Sequence, residues 1–273
     1  MHGDGTQIET QDQQRSRTGI TAYFRTLNES ATIERAIAAA ARVADEIIVV
    51  DSGSTDATRQ LAEKAGARVV DQAWLGSGRQ KRVAEDIAQN DWLLDLDADE
   101  ILSEGIIKEI IQEFRQEGTL ADIYRTPMAY APPTGKPWIG FGGVKRHKLY
   151  NRKIVRQPDH RAWDQFAIPD GARVKKLKSP ILHYAWKDTE HLVQKVNKHS
   201  SVRASLLPPK PKAVLALRIV FGLPIYIAKR FFLNGLFRAG ISGFAFSVTS
   251  GYGRWLKDAK MYERLKKDED HQA

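Results

Sequence analysis

Hydrophobic and polar positions along the first part of the chain predict strands and helices in alternation. From Gly19, the segments GITAYFRT, ADEIIVVDSGS, RVVDQ and DWLLDLD are short, apolar and bounded by polar residues, as strands are. The segments between them, NESATIERAIAAAARV, TDATRQLAEKAGA and RQKRVAEDIAQ, repeat their apolar residues at helical spacing. Short strands alternating with helices predict a doubly wound α/β fold with a parallel sheet.

The pattern changes after Gly118. The segment PMAYAPPTGKPWIGFGGVKRHKLYNRK is rich in proline, glycine, aromatic and basic residues, and it predicts a hairpin or a long loop. From about Lys187 to about Lys267 the chain is predicted to be helical, with a break at LLPPKPK. The second half of the chain is therefore expected to differ in architecture from the first.

Composition narrows the classes of protein that the chain can belong to. The 273 residues are 42% hydrophobic, which can supply a sizeable core, and they include no cysteine, which excludes disulfides and thiolate metal sites. The first 17 residues lack the apolar core of a signal peptide, so we expect a disordered tail and a cytoplasmic protein. A net charge of +9 favours an anionic partner such as nucleic acid, a nucleotide or a membrane surface.

The segment DWLLDLDADE places several acids at the end of a predicted strand. Alternate residues of a strand share a face, so Asp95, Asp97 and Asp99 are expected to project together while Leu96 and Ala98 point into the packing. Carboxylates on one face repel each other unless a cation lies between them. Mg²⁺ or Mn²⁺ fits, because such hard cations take oxygen ligands from one or two carboxylates and from substrate phosphates.

A second acid, Asp51, ends the buried strand in IIVVDSGSTDAT, where serine, glycine and a helix start could solvate a nucleotide. The alternative is that Asp51 only caps the turn. A dinucleotide-binding fold needs a glycine-rich loop after its first strand, and here RTLNESATIE contains no glycine. The segment GSGRQKR is not a Walker loop either, because it lacks the GK[ST] ending.

These motifs resemble those of a known family. RTLNES, EIIVVDSGSTDAT, AWLGSGRQKRVAEDIAQNDWLLDLDADE and ILHYAWKDTEHLVQKVNKHS are similar to the inverting family-two glycosyltransferases, especially the bacterial lipopolysaccharide-core glucosyltransferases. The resemblance is specific over about residues 18–105 and looser over about 140–260. It implies an A-type glycosyltransferase fold, which is a Rossmann-like sheet for nucleotide-diphospho-sugars, together with a UDP-sugar donor and a divalent Mg²⁺ or Mn²⁺.

The resemblance also implies roles for residues around the donor. Asn28 and Glu29 would border the nucleotide base, and Asp51 would bind the uridine. Asp97 would contact the ribose region, and Asp99 would hold the metal and the diphosphate. An Asp-X-Asp triplet by itself is a weak signal, so these roles depend on the order of all the motifs.

The catalytic base is expected after the middle hairpin. An inverting transfer needs a carboxylate that removes a proton from the acceptor hydroxyl. In this family a Glu preceded by His is usual, and counting back from LHY places Asp164 and Trp163 at those positions. Asp164 is the predicted base, with Asp159 and Asp170 as rivals, and a loop acid with no role in proton transfer as the alternative.

Several basic and imidazole side chains are further candidates. Arg82 stands where related sequences often carry Asn, and its guanidinium could face a phosphate. His183 follows a strand-like pair and is a candidate metal ligand, or a hydrogen-bonded core residue. Arg146, His147 and Lys148 could face the leaving diphosphate, where positive charge stabilises the transition state, or form a solvated basic hairpin.

The stretch from Lys195 to Lys257 contains eleven lysine and arginine residues and no acid. Its charge-free runs, 219–228 and 239–253, are shorter than the roughly 20 apolar residues of a membrane-spanning helix. We therefore predict interfacial helices that insert apolar faces into an anionic membrane. A nucleic-acid-binding tail is disfavoured by the high apolar content, and a buried core or homodimer interface is the remaining alternative.

Together these inferences predict the organisation and function of the chain. Residues 1–17 would form a tail, 18–190 a catalytic domain, and 191–273 a basic amphipathic helical region that associates with membrane. Within the catalytic domain, 18–125 would bind the nucleotide-sugar and 126–190 the acceptor. The expected activity is metal-dependent transfer of a hexose, such as glucose, from a UDP-sugar to a lipid-linked saccharide on the inner face of the cytoplasmic membrane. The alternative is a non-catalytic module that binds anionic membrane or nucleic acid.

Overall fold

The computed structural model describes residues 18–115 and 120–270, so the predicted tail over residues 1–17 lies outside the described residues. The strands are β1 (Ile20–Thr26), β2 (Glu46–Asp51), β3 (Arg68–Asp71), β4 (Trp92–Asp97), β5 (Glu100–Leu102), β6 (Ile123–Tyr130), β7 (Val144–Asn151), β8 (Val174–Lys176) and β9 (Ile181–His183). The helices are α1 (Ile33–Ala40), α2 (Thr58–Lys64), α3 (Ser77–Ile87), α4 (Glu104–Arg115), α5 (Thr189–Leu206), α6 (Lys212–Ala228) and α7 (Gly240–Asp270). A π-helical turn (Lys229–Leu233) and a 3₁₀ turn (Leu236–Ala239) connect α6 to α7.

The chain divides into two compact units. Among the described residues, the first unit comprises 18–98, 102–115, 120–126 and 147–179, and the second comprises 99–101, 127–146 and 180–270. Strands β6 and β7 contribute residues to both units. The functional division predicted at residues 125 and 190 remains a prediction.

The first unit contains the predicted parallel sheet. Strand β1 pairs in parallel with β2 and β4, and β2 pairs in parallel with β3. In this register Arg25 lies opposite Asp97 and Thr26 lies opposite Asp51, so polar strand ends meet at one edge of the sheet. Strand β7 adds to β4 in antiparallel orientation, and β8 pairs in parallel with β6. The predicted α/β architecture is therefore confirmed.

Helix α1 begins five residues later than the sequence pattern predicts. Asn28 has a φ of 57°, the left-handed conformation that asparagine tolerates better than most residues. The carbonyl of Glu29 then accepts hydrogen bonds from the backbone amides of Thr32 and Ile33. The chain therefore turns away from β1 before the helix can begin.

The second unit has an aromatic core. The end of β6 pairs in parallel with β9, with Met128 opposite Ile181. The segment between β6 and β7 is the predicted hairpin connection. Trp138, Trp186 and Phe246 pack with ring centroids 4.7–5.8 Å apart, a spacing typical of favourable aromatic contacts.

The helical end of the chain is confirmed, including its predicted break between α5 and α6. Residue Gly251 of α7 packs so closely on α6 that an added Cβ would lie 2.8 Å from Ile227 Cγ1. The indole Nε1 of Trp255 donates to the carbonyl of Ile219 at 2.9 Å. These contacts join α6 and α7 along their length.

One buried acid neutralises basic residues between α6 and α7. Asp258 is fully buried, directly after the acid-free stretch. Its Oδ2 accepts hydrogen bonds from Arg218 Nε and from the hydroxyl of Tyr226, both at 2.9 Å. Lys257 Nζ lies 2.8 Å from Oδ1. Burial raises the pKa of Asp258, but these partners outweigh burial, and the net pKa lies below its usual value.

Replacing Asp258 with alanine should lower the free energy of unfolding by about 3 kcal/mol, because it leaves partners of a buried ion pair uncompensated. Urea unfolding at neutral pH measures this change. Asp268→Ala, at an exposed position of the same helix, is the matched control and should change stability little. Because the folded-state pKa is lowered, the difference between wild type and Asp258→Ala should shrink as pH falls below the ordinary Asp range. An equal effect of both substitutions would contradict the prediction.

Candidate functional site

The acid at the end of β4 is paired with an arginine of the neighbouring strand. Arg25 donates from Nε to Asp97 Oδ1 at 2.7 Å and from Nη2 to Asp97 Oδ2 at 3.2 Å. This is the two-pronged geometry that arginine forms with carboxylates. Asp97, the predicted ribose ligand, is therefore fixed by a guanidinium at the edge of the sheet.

Asp164, the predicted base, joins the same group of charges from the irregular segment between β7 and β8. Its Oδ2 lies 3.0 Å from Arg25 Nη2 and 3.3 Å from Lys81 Nζ. The Asp164 side chain is 27% exposed and that of Lys81 only 1%, so the carboxylate is open to solvent while the ammonium is not. We call Arg25, Lys81, Asp95, Asp97 and Asp164 the charge cluster.

Cations inside the protein neutralise the acids of β4. Lys81 Nζ lies 2.8 Å from Asp95 Oδ2 and 3.9 Å from Asp97 Oδ1, and Lys148 Nζ lies 3.9 Å from Asp95 Oδ2. Asp95 and Asp97 lie two positions apart on β4, as predicted, whereas Asp99 lies in the turn that follows β4. These lysines offset the repulsion between Asp95 and Asp97, and a divalent cation stays a prediction for Asp99. Lys148 is 2% exposed, so the alternative of a solvated basic hairpin is wrong for this residue, and its contact with a diphosphate stays a prediction.

The cations hold both partly exposed acids of the cluster in their ionised form. Burial raises the pKa of Asp97, but Arg25 and nearby lysines outweigh burial and hold that pKa well below its usual value. Burial also raises the pKa of Asp164, and Lys81 and Arg25 again lower it below the ordinary range. A general base must be unprotonated before the reaction, and Asp164 meets this condition at neutral pH.

A buried polar network adjoins the cluster. Gln157 Nε2 donates to Asp95 Oδ2 at 3.2 Å, and the backbone amide of Gln157 donates to Glu85 at 2.9 Å. The hydroxyl of Tyr150 donates to Glu85 at 2.7 Å. Arg82 Nε donates to the carbonyl of Gln157 at 2.6 Å. Arg82 thus braces the segment that leads to the predicted base, and a contact of Arg82 with phosphate remains a prediction.

The segment that carries the predicted base is docked on the start of α3 through its backbone. The amide of Ser77 donates to the carbonyl of Arg161 at 2.7 Å, and the amide of Gly78 donates to the carbonyl of His160 at 3.0 Å. His160 Nδ1 accepts from the amide of Trp163 at 3.0 Å. The position of Asp164 therefore depends on this backbone docking.

Asp51 is fully buried at the end of β2. Its carboxylate accepts hydrogen bonds from Thr26 Oγ1 at 2.9 Å and from the amides of Gly53 and Ser54 at 3.1 and 2.8 Å. Burial raises its pKa, but these bonds and that of the Ser54 hydroxyl lower it below the usual value. The structure thus shows that Asp51 caps this turn, and contact of Asp51 with uridine stays a prediction.

Asn28 and Glu29, which are predicted to border the nucleotide base of the donor, lie beside the turn that Asp51 caps. The amide of Asn28 donates to Ser54 Oγ at 2.9 Å, and Asn28 Oδ1 accepts from the amide of Thr55 at 2.8 Å. The amide of Glu29 donates to Thr58 Oγ1 at 2.7 Å. The structure therefore brings the residues predicted to border the nucleotide base together with the turn that Asp51 caps.

The predicted metal ligands, Asp99 and His183, lie together in the second unit. His183 Nε2 is 3.3 Å from Asp99 Oδ2, and Lys195 Nζ is 3.5 Å from the same oxygen. The imidazole stacks on Tyr130 with ring centroids 5.7 Å apart. Burial lowers the pKa of His183, but the Asp99 carboxylate outweighs burial and raises it above its usual value.

The Asp99 carboxylate suits a divalent cation that takes its other ligands from a bound diphosphate, and the His183 imidazole is a weaker ligand for it. Mg²⁺ typically binds one or two carboxylates plus substrate phosphates, and imidazole suits Mn²⁺ less well than oxygen ligands do. Over residues 18–115 and 120–270, no three His, Asp or Glu side chains are grouped to hold a metal. Lys195 shares the Asp99 oxygen, so a cation there would compete with an ammonium.

The remaining candidates are not members of the charge cluster. Asp159 is 63% exposed and pairs with Arg79 at 2.6 Å, and Asp170 is exposed. Arg146 is exposed on β7 and belongs to the second unit. Among the three candidate acids for the base, only Asp164 shares a cation with Asp97.

Sequence reasoning missed Arg25 and Lys81, although each left a signal. Arg25 is a basic residue one position before the end of an apolar strand, and the parallel register places it opposite Asp97. Lys81 lies at helical spacing from Ala84 and Glu85, on the buried face of α3. A charged residue on an apolar face predicts a buried partner of opposite charge.

The second unit exposes an apolar surface around the π-helical turn. Phe232, Phe237 and Phe244 surround Phe231 with ring centroids 5.1–6.5 Å from it. The most exposed large apolar residues here are Phe232, Leu233, Phe237, Ile241 and Phe244, at 50–89% exposure, and we call them the apolar tip. In the part of the chain that the structure describes, no helix has an apolar stretch long enough to cross a membrane.

Comparison with known proteins gives consistent matches. Residues 24–176 match the profile of Glycosyl transferase family 2. A protein of Rickettsia bellii named an uncharacterized glycosyltransferase is 36% identical over 254 residues, or 89% of this chain and 86% of that protein. The lipopolysaccharide core biosynthesis glycosyltransferase LpsC of Rhizobium meliloti is 29% identical over 258 residues, or 90% of this chain and 92% of that protein.

Similarity to a solved structure covers a smaller part of this chain than the similarity to these relatives does. Glucosyl-3-phosphoglycerate synthase from Mycobacterium tuberculosis, solved with Mn²⁺, UDP and glucosyl-3-phosphoglycerate, matches with a TM-score of 0.33 and 27% sequence identity. The match covers 42% of this chain and 44% of that chain.

Replacing Gly78 with alanine should displace the segment that carries Asp164. The new Cβ would lie 2.2 Å from the carbonyl oxygen of Pro158 and 2.5 Å from that of Trp163, and such overpacking costs about 1–3 kcal/mol. Alanine otherwise favours a helix over glycine by up to about 1 kcal/mol, so a loss of stability in urea unfolding identifies the clash. Ser77→Ala is the control, and a Gly78→Ala protein as stable as wild type would contradict the described docking.

Proposed function

This chain belongs to glycosyl transferase family 2 and is a glycosyltransferase with the predicted A-type fold, and on that premise we propose that it transfers a hexose from a UDP-sugar to a lipid-linked saccharide with inversion at the anomeric carbon. Family membership favours the enzyme over the non-catalytic module. A UDP-sugar is the proposed donor, because the motifs of this chain resemble those of family-two glycosyltransferases. Glucose is the first sugar to test, because the resemblance is greatest to lipopolysaccharide-core glucosyltransferases.

The observation that carries the proposal is the shared contact of Arg25 with Asp97 and Asp164. Arg25 Nη2 lies 3.2 Å from Asp97 Oδ2 and 3.0 Å from Asp164 Oδ2. An acid proposed to bind the donor and an acid proposed to accept a proton thus occupy one cluster. Inverting transfer requires the base to act beside the donor, because the acceptor oxygen attacks the bound sugar directly.

In the proposed reaction Asp164 accepts the proton of an acceptor hydroxyl. The acceptor oxygen forms a bond to the anomeric carbon, and the bond from that carbon to the diphosphate oxygen breaks. UDP leaves with the electron pair of the broken bond. The ionised state of Asp164 supports this role, because the neighbouring Lys81 and Arg25 lower its pKa.

Asp99 and His183 are proposed to hold the divalent cation. Their oxygen and nitrogen atoms lie 3.3 Å apart, and Asp99 follows the proposed ribose ligand by two positions in the chain. When bound, the cation would neutralise charge on the donor diphosphate. If no cation is required, the ammonium of Lys195, which lies 3.5 Å from Asp99, would supply the positive charge beside the donor diphosphate.

A lipid-linked acceptor is supported by the relative LpsC, which is named for lipopolysaccharide core biosynthesis, and by the apolar tip. Monomeric soluble proteins rarely expose contiguous large apolar patches. The tip lies beside Lys229, Arg230 and Arg238 in a stretch that contains no acid. Apolar side chains bordered by basic ones suit an anionic membrane surface, so we propose that the protein binds the inner face of the cytoplasmic membrane.

Substitutions at Asp99 and Asp164 should separate donor binding from chemistry. Asp164→Asn should bind UDP as wild type does yet lose about 10²–10⁴-fold in turnover, because an amide cannot accept the proton. Asp99→Asn should lose Mn²⁺-dependent UDP binding, because the amide lacks the charge that holds a cation. Calorimetry with UDP, with and without Mn²⁺, measures binding, and release of UDP from UDP-hexoses with core oligosaccharide acceptors measures turnover.

Asp159→Asn and Asp170→Asn are the matched controls and should keep wild-type turnover. Loss of transfer in either control, with activity retained in Asp164→Asn, would move the base to that residue. UDP binding that does not change with Mn²⁺ or with a chelator would remove the metal from the proposal. A wild-type protein that binds no UDP would overturn the proposed donor.

The apolar tip should hold the protein on anionic vesicles. In co-sedimentation with phosphatidylglycerol–phosphatidylcholine vesicles, binding should weaken with added salt but persist, because each basic residue contributes about 1 kcal/mol that salt screens while apolar burial is not screened. The triple variant Phe232→Ser, Leu233→Ser, Ile241→Ser should remain in the supernatant. Ile154→Ser, at a 46% exposed apolar position of the first unit, is the control.

Failure of wild-type protein to sediment with anionic vesicles at low salt would overturn the membrane proposal. Concentration-dependent dimerisation that the triple variant abolishes would instead assign the tip to contact between copies of this chain. The same triple variant should keep wild-type UDP binding, because the tip contains none of the residues proposed to contact the donor.

A further inference from the structure

We propose that Arg25 is a positioning residue that fixes Asp97 and Asp164 relative to each other, so that the donor-binding acid and the catalytic base keep a constant separation. This inference rests on the proposed function, in which Asp97 contacts the donor and Asp164 accepts the proton. It assigns a role to a residue for which the family resemblance implied none.

The geometry of the guanidinium carries this assignment. One side of Arg25 forms the two-pronged contact with Asp97, at 2.7 and 3.2 Å, and Nη2 also reaches Asp164 at 3.0 Å. Arginine is planar and always charged, and its five donors have fixed directions. The two carboxylates therefore cannot move independently while both contacts persist.

Lys81 cannot replace this function. Its ammonium lies 3.3 Å from Asp164 but 3.9 Å from Asp97, and its shortest contact, at 2.8 Å, is with buried Asp95. A lysine is a point charge on a flexible chain and lacks a planar fork. Without Arg25, Asp97 and Asp164 would keep partial neutralisation by lysine but lose the link between them.

Burial makes the link effective. The Arg25 side chain is only 22% exposed, and its Cζ lies 6.0 Å from the ring centroid of Trp74. Ion pairs that water reaches poorly are screened less than surface pairs, and packing restricts the rotamers of the arginine. A small displacement of a catalytic group can cost about 10²-fold in rate, so a rigid link between the two acids has a kinetic consequence.

Replacing Arg25 with methionine should lower kcat at least tenfold, because it frees the base. The decisive measurement is a double-mutant cycle with Asp164→Asn, using UDP-glucose and a lipopolysaccharide-core oligosaccharide. If Arg25 acts through Asp164, the Arg25→Met, Asp164→Asn double variant should be no slower than Asp164→Asn alone. Independent, multiplicative losses would overturn the proposal, as would wild-type kcat in Arg25→Met.

Arg25→Lys separates positioning from charge alone. Lysine keeps the positive charge but cannot bridge two carboxylates with a planar fork, so kcat should stay well below wild type. Full activity in Arg25→Lys would overturn the positioning role. Arg59→Met, which breaks an exposed ion pair with Asp71 on the same unit, is the matched control. If Arg25→Met does not fold, the cycle is run with Arg25→Lys.

An activity-independent measurement distinguishes failure of this inference from failure of the proposed function. The charged groups that face Asp164 are Arg25, Lys81, Lys148 and Asp97. Removing Arg25 should raise the pKa of Asp164 by about one unit or more, measured by carbon-13 NMR of labelled aspartate, with Asp164→Asn identifying the signal. An unchanged pKa would overturn the inference. A shifted pKa in a protein without transferase activity would support the contact and overturn the proposed reaction.

Discussion

Neutralisation of acids at the edge of the parallel sheet is the constraint on which the first unit depends. Parallel pairing brings the carboxyl end of β4 beside that of β1, so Asp97 is placed at a partly dehydrated edge. A buried carboxylate is costly unless it is paired and hydrogen-bonded. Arg25 pairs with Asp97, and Lys81 pairs with the neighbouring Asp95. Both cations also contact Asp164, which lies in a segment without regular secondary structure.

The surrounding polar network explains how an irregular segment can hold a side chain in place. Gln157 contacts Asp95 through its side chain and Glu85 through its backbone amide, and Arg156 Nε pairs with Glu85 at 2.8 Å. Burial raises the pKa of Glu85 above its usual value, so desolvation of this carboxylate outweighs the hydrogen bonds that it accepts. A segment fixed at residues 156 and 157 presents Asp164 in a restricted region.

Most of the fold could be predicted from the sequence, because local patterns determine it. Apolar strands separated by amphipathic helices gave the parallel order, and LLPPKPK marked the break before α6. The charge cluster was harder to predict, since it joins Arg25, Lys81 and Asp164 across long sequence separations. The spacing of the acids suggested a metal beside Asp95 and Asp97. The charges that compensate these acids come from Arg25 on β1 and Lys81 on α3. The spacing of residues within one strand cannot reveal partners on other elements.

The two acids of the Asp-X-Asp triplet, Asp97 and Asp99, differ in the groups that neutralise their charge. Asp97 is already compensated by Arg25, so an added cation at that carboxylate would have to displace a well-placed guanidinium. Asp99 is instead bordered by an imidazole and by an ammonium 3.5 Å away, and an imidazole can give its nitrogen to a metal only when it is unprotonated. Cation binding in the proposed reaction therefore depends on how Asp99 is shared with Lys195, whereas the charge of Asp97 is offset by Arg25 and Lys81.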